Sequence, residues 1–253
     1  MMARCRELIG GSTDVDYDAE GRKLLEAVNL GGRGAPPRYS PCDPLWRHPQ
    51  TGATLFVGGV SIADKRAELA KLGITRIVNC QEPSSRNSFE ADSDLMYMRF
   101  PIGLWRNITD IRSDPNVTWR FFEPFFQFVA QSLLEGRNVL VHCLAGAHRA
   151  GTAGISCLML FCGWPPAEAV PAAKRLRPAI EPIGGFPELL QLLEKARVGR
   201  EQRIRLYAEA AGEVQPQGEP QQQQQQQQQE ATAEQQELQA RAEPVRVSDG
   251  SAK

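Results

Sequence analysis

Short apolar runs alternate with helical patterns through the middle of the chain. Four runs have the apolar, partly β-branched character of buried strands, at residues 55–57, 74–80, 96–102 and 139–141. Between and after them, apolar residues recur at helical spacing, which predicts helices over 62–72, from about 115, and over 149–161, 166–176 and 186–196. This order predicts an α/β domain with a central, mostly parallel sheet flanked by helices.

The pattern is confined to part of the chain, and this sets the expected domain boundaries. Residues 1–49 are rich in Gly, Pro and charge and are read as an irregular extension, with a short helix at 22–30 and contacts to the domain through Leu45 and Trp46. Residues 50–200 form the predicted catalytic domain. Residues 201–253 contain an uninterrupted glutamine run at 221–229 and predict a disordered tail.

Composition narrows the class of protein. The net charge of -1 gives no general attraction to nucleic acid or anionic membranes. The six cysteines show no paired short spacing typical of zinc sites, and no apolar run approaches the length of a membrane span. We therefore expect no nucleic-acid partner, no membrane span, and a reducing cytoplasmic location, with the nucleus left open.

The segment from Val141 to Thr152 contains the candidate chemistry. Cys143 ends an apolar strand, and Arg149, six positions later, begins a helix; Ala145, Gly146 and Ala147 between them are small. Backbone amides of such a loop and a helix N-terminus form an anion site. The same surroundings stabilise a cysteine thiolate, and arginine binds two phosphate oxygens bidentately. Cys143 is thus the candidate nucleophile, and the candidate phosphate-binding residues are Leu144, Ala145, Gly146, Ala147, His148 and Arg149.

The pattern His142-Cys143-x5-Arg149 resembles the signature of cysteine-dependent phosphatases, and His142-Cys143-Leu144-Ala145-Gly146 resembles its dual-specificity form. Residues 55–59, 72–79 and 177–190 resemble the opening and closing segments of the same family. The resemblance implies a dual-specificity phosphatase-like fold and a two-step reaction. In it, Cys143 attacks phosphorus, a phosphocysteine forms, and water releases phosphate.

The family also implies a general acid on a loop before the cysteine, and here the sequence departs from the usual pattern. Gly103-Leu104-Trp105-Arg106 stands where an acidic residue is expected. Asp110 and Asp114 are the candidates. Asp114 precedes Pro115 and fits an N-cap, which favours Asp110 as the acid and leaves Asp114 as the alternative.

Four further residues near the signature receive roles from the resemblance. Ala150 stands where most relatives have Ser or Thr, so slow breakdown of the intermediate is expected; Thr152 is only a supporting candidate because it lies beyond the usual hydroxyl position. His142 is expected to orient the loop. Cys80 is either a redox partner of Cys143 or an inert core cysteine.

The expected activity is hydrolysis of phosphotyrosine and phosphoserine or phosphothreonine in proteins. Two alternatives stay open: the same chemistry on a phosphoinositide, a glucan or an RNA 5′ end, and a weakly active phosphoprotein-binding relative. No metal or organic cofactor is expected, because thiolate, arginine and backbone dipoles supply the chemistry. The expected partner is a phosphorylated protein, with protein kinases among the candidates, and the glutamine-rich tail is a candidate protein-binding segment.

Overall fold

The computed structural model describes residues 15–30 and 39–210. The chain divides into two compact units, residues 1–200 and 201–253, and the sheet and the site described below belong to the first. The predicted disordered tail, including the glutamine run, lies outside the described residues beyond position 210.

A five-stranded sheet forms the centre of the first unit, in the order β1-β2-β5-β3-β4. Its strands are β1 (Cys42–Arg47), β2 (Thr54–Gly59), β3 (Ile74–Asn79), β4 (Met96–Arg99) and β5 (Asn138–Cys143). The pairs β2–β5, β5–β3 and β3–β4 are parallel, and only β1 runs antiparallel, at the edge. The predicted mostly parallel sheet flanked by helices is therefore confirmed.

The helices are α1 (Tyr17–Leu30), α2 (Val60–Ala63), α3 (Arg66–Lys71), α4 (Pro115–Leu134), α5 (Arg149–Cys162), α6 (Pro166–Leu176) and α7 (Phe186–Ala210), with a 3-10 helix at Ile102–Asn107. Two predictions differ from these bounds. The single helix expected over 62–72 is two short helices, and the last helix continues well past residue 196. Among the described residues no single helix is long and apolar enough to cross a membrane, although α5 and α6, bent by 119°, reach that composition together.

Two apolar clusters cover the two faces of the sheet. Val139 and Val141 of β5 point to one face and join the cluster that includes α4 and α5, whereas Leu140 points to the other and joins residues of α2 and α3. Successive side chains of a strand alternate between faces, so a strand buried on both sides is apolar throughout. β5 consequently lies at the centre of the sheet, and its carboxyl end is held on both sides by neighbouring strands.

The N-terminal segment is more ordered than the sequence indicates. The extension expected to be irregular over 1–49 contains α1 and the strand β1, and Leu45 is buried as predicted. Pro44 within β1 argues against a central strand, but an edge strand tolerates proline because one side of it needs no ladder hydrogen bonds.

Candidate active site

Cys143 and Arg149 lie at the two ends of one loop. Cys143 is the last residue of β5 and is paired with Gly59 of β2, while Arg149 is the first residue of α5. Both are almost completely buried, with 3% of Cys143 and 1% of Arg149 exposed. The sheet and the helix therefore fix the thiol and the guanidinium on either side of residues 144–148, which we call the anion loop.

Gly146 turns the anion loop through a conformation that other residues rarely adopt. Its φ is +65°, and a Cβ placed there would come within 2.4 Å of the carbonyl oxygen of Gly58. Both the positive φ and the close approach to β2 require glycine.

Arg177 holds the anion loop from behind. Its Nε donates to the carbonyl of Gly146 at 2.9 Å, and its Nη2 donates to the carbonyl of Ala145 at 3.1 Å. Its Nη1 donates to Asp43 Oδ2 at 2.7 Å and to the carbonyl of Ser40 at 2.8 Å. The side chain of Arg177 is fully buried.

The remaining carbonyls of the loop also have partners on the same outer side. The amide of Val60 donates to the carbonyl of Leu144 at 3.0 Å, and the amide of Glu181 donates to the carbonyl of Ala147 at 3.2 Å. Every carbonyl from 144 to 147 is therefore bonded away from the loop's interior.

The outward carbonyls determine where the amides point. Within a planar trans peptide the C=O and the following N–H point in opposite directions, so the amides of residues 145–148 are directed away from the groups that hold the carbonyls. Inward backbone amides at a helix N-terminus make an anion site. The geometry thus provides the cradle for an oxyanion between Cys143 and Arg149.

Among the described residues, Arg149 has an unpartnered donor, Nε, and two acidic neighbours. Its Nε is buried and has no hydrogen-bond partner within the described part of the chain. Its Nη2 donates to Asp18 of α1, and its Nη1 lies 3.6 Å from Glu82 Oε1. Burial lowers the pKa of Arg149, but Cys143, Asp18 and Glu82 together raise that pKa above its ordinary value. The guanidinium is a permanent cation.

The two histidines of the signature, His142 and His148, lie in different surroundings. His142 is buried inside β5, and this burial lowers the pKa of its ring to about 4, so the ring is neutral at pH 7. His148 is turned toward residue 181: its Nδ1 donates to the carbonyl of Glu181 at 2.7 Å, since a carbonyl oxygen can only accept.

Neither candidate general acid contacts Arg149, whose acidic neighbours are Asp18 and Glu82. Asp114 is the N-cap of α4, and its side chain accepts a hydrogen bond from the amide of Asn116 at 2.8 Å, as its position before Pro115 predicted. Asp110 is exposed and has a φ of 62°, the one positive φ of a non-glycine residue in the described segments.

The loop that carries Asp110 is anchored at a buried tryptophan. Trp105 is fully buried, and the guanidinium carbon of Arg112 lies 4.8 Å from its ring centroid. Arg112 also donates to Glu188 of α7 at 2.8 Å. The departure from the family pattern at 103–106 therefore supplies an apolar anchor in place of a carboxylate.

Ala150 and Thr152 lie in the first turn of α5 and are fully buried. The hydroxyl of Thr152 donates to the carbonyl of His148 at 2.7 Å. That hydroxyl is therefore already hydrogen-bonded within the helix, and Ala150 has no hydroxyl.

Cys80 follows β3 directly, and its amide donates to the carbonyl of His142 at 2.8 Å. Burial raises the pKa of the Cys80 thiol well above its usual range, and Cys143 and Arg149 are close enough to act on it electrostatically. Cys80 and Cys143 are both free thiols in the structure. Disulfide formation between them stays a prediction.

The sequence did not indicate four charged residues of the site: Asp18, Asp43, Glu82 and Arg177. Only Arg177 had a usable signal, because it belongs to the segment that resembles the family's closing motif. The other three come from distant parts of the chain, and the fold alone brings them to the loop.

Three features define the class of cysteine-dependent phosphatase domains, and this site has them all. They are a strand that ends in a cysteine, a loop whose amides face inward and a helix that begins with an arginine. The family model "Dual specificity phosphatase, catalytic domain" matches residues 55–196. The chain is 30% identical over 190 residues to human dual specificity protein phosphatase 9. The aligned region covers 74% of this chain and 46% of that protein. It is 31% identical over 153 residues to human dual specificity protein phosphatase 13B, covering 58% and 72% respectively.

Among solved structures, human DUSP28 is similar at 25% identity and a TM-score of 0.47, over 64% of this chain and 98% of that chain. The chain spans less than half the length of human dual specificity protein phosphatase 9. Because the family model covers more than half of the chain, this protein belongs to the dual specificity phosphatase family.

Proposed function

We propose that this protein hydrolyses phosphate monoesters on phosphotyrosine and on phosphoserine or phosphothreonine of protein substrates, through a phosphocysteine intermediate. The observation that carries the proposal is the anion loop, in which all four carbonyls from 144 to 147 are bonded outward. Amides arranged in this way stabilise charge on phosphate oxygens without reorganising during the reaction.

In the first step the thiolate of Cys143 attacks phosphorus, an S–P bond forms and the P–O bond to the leaving group breaks. The phosphate oxygens lie among the inward amides and the fork of Arg149, whose Nε has no partner within the described residues. The free Nε supports bidentate binding of the phosphate by Arg149.

The leaving oxygen takes a proton from a general acid, and we assign this role to Asp110. Asp114 already serves as an N-cap, whereas Asp110 lies on an exposed turn held in an uncommon backbone conformation. Such conformations occur more often at functional sites than elsewhere. The contacts of Trp105 and Arg112 hold this loop in place, and we propose that Asp110 extends from it toward the anion loop.

In the second step water attacks phosphorus and gives a proton to the carboxylate of Asp110, the S–P bond breaks and inorganic phosphate leaves, with Cys143 regenerated as thiolate. The family resemblance implies that most relatives assist this departure with a hydroxyl after the arginine, and Ala150 cannot do so. We expect this second step to limit turnover.

The experiment compares hydrolysis of a phosphotyrosine peptide, a doubly phosphorylated peptide, a phosphoinositide and a phosphoglucan, with Cys143→Ser as the control. Phosphate release from both peptides, abolished in the control, supports the proposal. Release from the phosphoinositide or the phosphoglucan alone would assign the same chemistry to a non-protein substrate. Absence of release, with retained peptide binding, would make the protein a phosphoprotein-binding relative.

A further inference from the structure

The first turn of α1 lies over the anion loop. The side chain of Asp16 caps this helix, accepting hydrogen bonds from the amides of Asp18 at 3.0 Å and Ala19 at 2.9 Å. The cap fixes the beginning of the helix and therefore the position of the next residues along it. Asp18 faces Arg149 and Gly21 faces the anion loop, while Tyr17 packs on Phe186 of α7.

Two apolar contacts hold this turn in place. The ring of Tyr17 stacks on Phe186 of α7, with centroids 4.5 Å apart and an angle of 21° between the planes. A Cβ added to Gly21 would lie 3.3 Å from Leu144 Cδ2 and 3.6 Å from Ala145 Cβ, so the helix backbone approaches the anion loop closely. Glycine inside a helix is destabilising relative to alanine, and the close approach to the anion loop explains its presence here.

Asp18 places a carboxylate at the guanidinium of the site. It accepts a hydrogen bond from Arg149 Nη2, and the side chain of Arg149 is only 2% exposed while that of Asp18 is 33% exposed. Asp18 occupies one of the two N–H groups of Arg149 Nη2, so its carboxylate competes with a phosphate oxygen for that side of the guanidinium.

We infer that the first turn of α1 is an internal pseudosubstrate, in which Asp18 holds the arginine fork that a substrate phosphate needs. The inference rests on the proposed function of the anion loop as a phosphate site. Substrate binding then requires α1 to move away from the loop, and a doubly charged phosphate monoester competes with the single charge of Asp18. The protein is least active when α1 is seated.

The contacts of Tyr17 and Asp18 indicate the kind of phosphorylated substrate that would bind to the surface that α1 covers. Asp18 places an acidic group at Arg149, and the residue before it, Tyr17, stacks its ring on Phe186. The ring of Tyr17 also lies beside Gly103, where an added Cβ would be 3.5 Å from Tyr17 Cδ2. A phosphopeptide with an aromatic residue next to its phosphorylated residue reproduces both features.

The test measures binding of inorganic phosphate by calorimetry in the full chain carrying Cys143→Ser, which prevents covalent chemistry. Asp18→Asn keeps the shape of the side chain and removes its charge. Glu26→Gln removes the same charge from an exposed position on the same helix and is the matched control. We expect Asp18→Asn to bind phosphate about tenfold more tightly or better, because apparent affinity scales with the open fraction, and Glu26→Gln to bind as the parent does.

A second variant separates the charge of Asp18 from the seating of the helix. Tyr17→Ala retains Asp18 but removes the ring stacked on Phe186, so we expect a smaller gain in phosphate affinity in the same direction. Equal phosphate affinity in the parent, Asp18→Asn and Tyr17→Ala would overturn the inference.

Turnover of p-nitrophenyl phosphate, measured with Cys143 intact, distinguishes failure of the inference from failure of the proposed function. Tighter phosphate binding by Asp18→Asn without turnover in any variant supports the pseudosubstrate and rejects the catalytic proposal. Turnover with unchanged phosphate binding rejects the pseudosubstrate alone. Lower kcat in Asp18→Asn would make Asp18 a participant in the reaction and also overturn the inference.

Discussion

Arg177 and Asp43 form a fully buried ion pair beneath the anion loop, with 2.7 Å between Arg177 Nη1 and Asp43 Oδ2. The other nitrogens of the same guanidinium hold the carbonyls of Ala145 and Gly146. The pair joins the edge strand β1 to the segment after α6, and through Arg177 it orients the anion loop, the proposed phosphate site. Under the proposed function Arg177 is a positioning residue, since it would act on substrate only through the loop.

We predict that Arg177→Lys lowers kcat/KM about 10- to 100-fold, because lysine keeps the charge for Asp43 but lacks the planar fork that holds two carbonyls. The effect should fall mainly on kcat, since misdirected amides lose charge stabilisation in the transition state. Steady-state kinetics with p-nitrophenyl phosphate measures it, with Arg175→Lys on the exposed face of α6 as the control. Unchanged kcat in Arg177→Lys would restrict Arg177 to a role in stability.

The sequence predicted the parts of the fold in which local pattern and tertiary position agree. The strands β2, β3 and β5 are apolar because they are buried centrally, so their runs stand out. The edge strand β1 contains Asp43 and Pro44, and neither its pairing with β2 nor the buried partner of Asp43 leaves a local pattern.

The candidate site likewise contains residues that the sequence predicted and residues that it did not. Cys143 and Arg149 lie in one contiguous motif, and the helix that begins at Arg149 is where the pattern placed it. Arg177 and Asp18 reach the loop from 28 residues after Arg149 and 131 residues before it, respectively. Contacts over such separations depend on the assembled fold, and no spacing rule in the sequence reports them.

The general acid is tested by leaving groups of different basicity. We predict that Asp110→Asn lowers kcat for an alkyl phosphate by about 10²- to 10⁴-fold and affects p-nitrophenyl phosphate less, since a good leaving group needs little proton donation. Asp114→Asn is the matched control, because asparagine is as good an N-cap as aspartate and should preserve both stability and activity.

Turnover of the alkyl phosphate that survives Asp110→Asn would reject Asp110. Glu82→Gln belongs in the same series, because Glu82 is the other carboxylate near Arg149 on the sheet side, at 3.6 Å. A loss confined to Glu82→Gln would move the acid from the loop before α4 to the turn after β3.

Ala150 leads to a kinetic prediction. Without a hydroxyl after Arg149, and with the hydroxyl of Thr152 already bonded to the carbonyl of His148, departure of the cysteine from the phosphoenzyme should be slow. We predict a rapid burst of one leaving group per enzyme, followed by slower steady turnover, in rapid-quench measurements. Ala150→Ser should raise the steady rate relative to the burst, and the absence of any burst in the parent would contradict the assignment of the slow step.

His142 should make the protein less stable as the pH falls below about 6.5. Burial lowers the pKa of His142 to about 4 from its ordinary value of 6.5, so below pH 6.5 the unfolded chain binds a proton that the folded chain does not. Stability is therefore fully present above pH 6.5 and declines with a slope of up to about 1.4 kcal/mol per pH unit toward pH 4. Urea unfolding at pH 7.0, 6.0 and 5.0 measures the slope before most carboxylates titrate. We expect His142→Asn to flatten it and His48→Asn, in the turn between β1 and β2, to leave it unchanged; an equal slope in the parent and in His142→Asn would mean that another group is responsible.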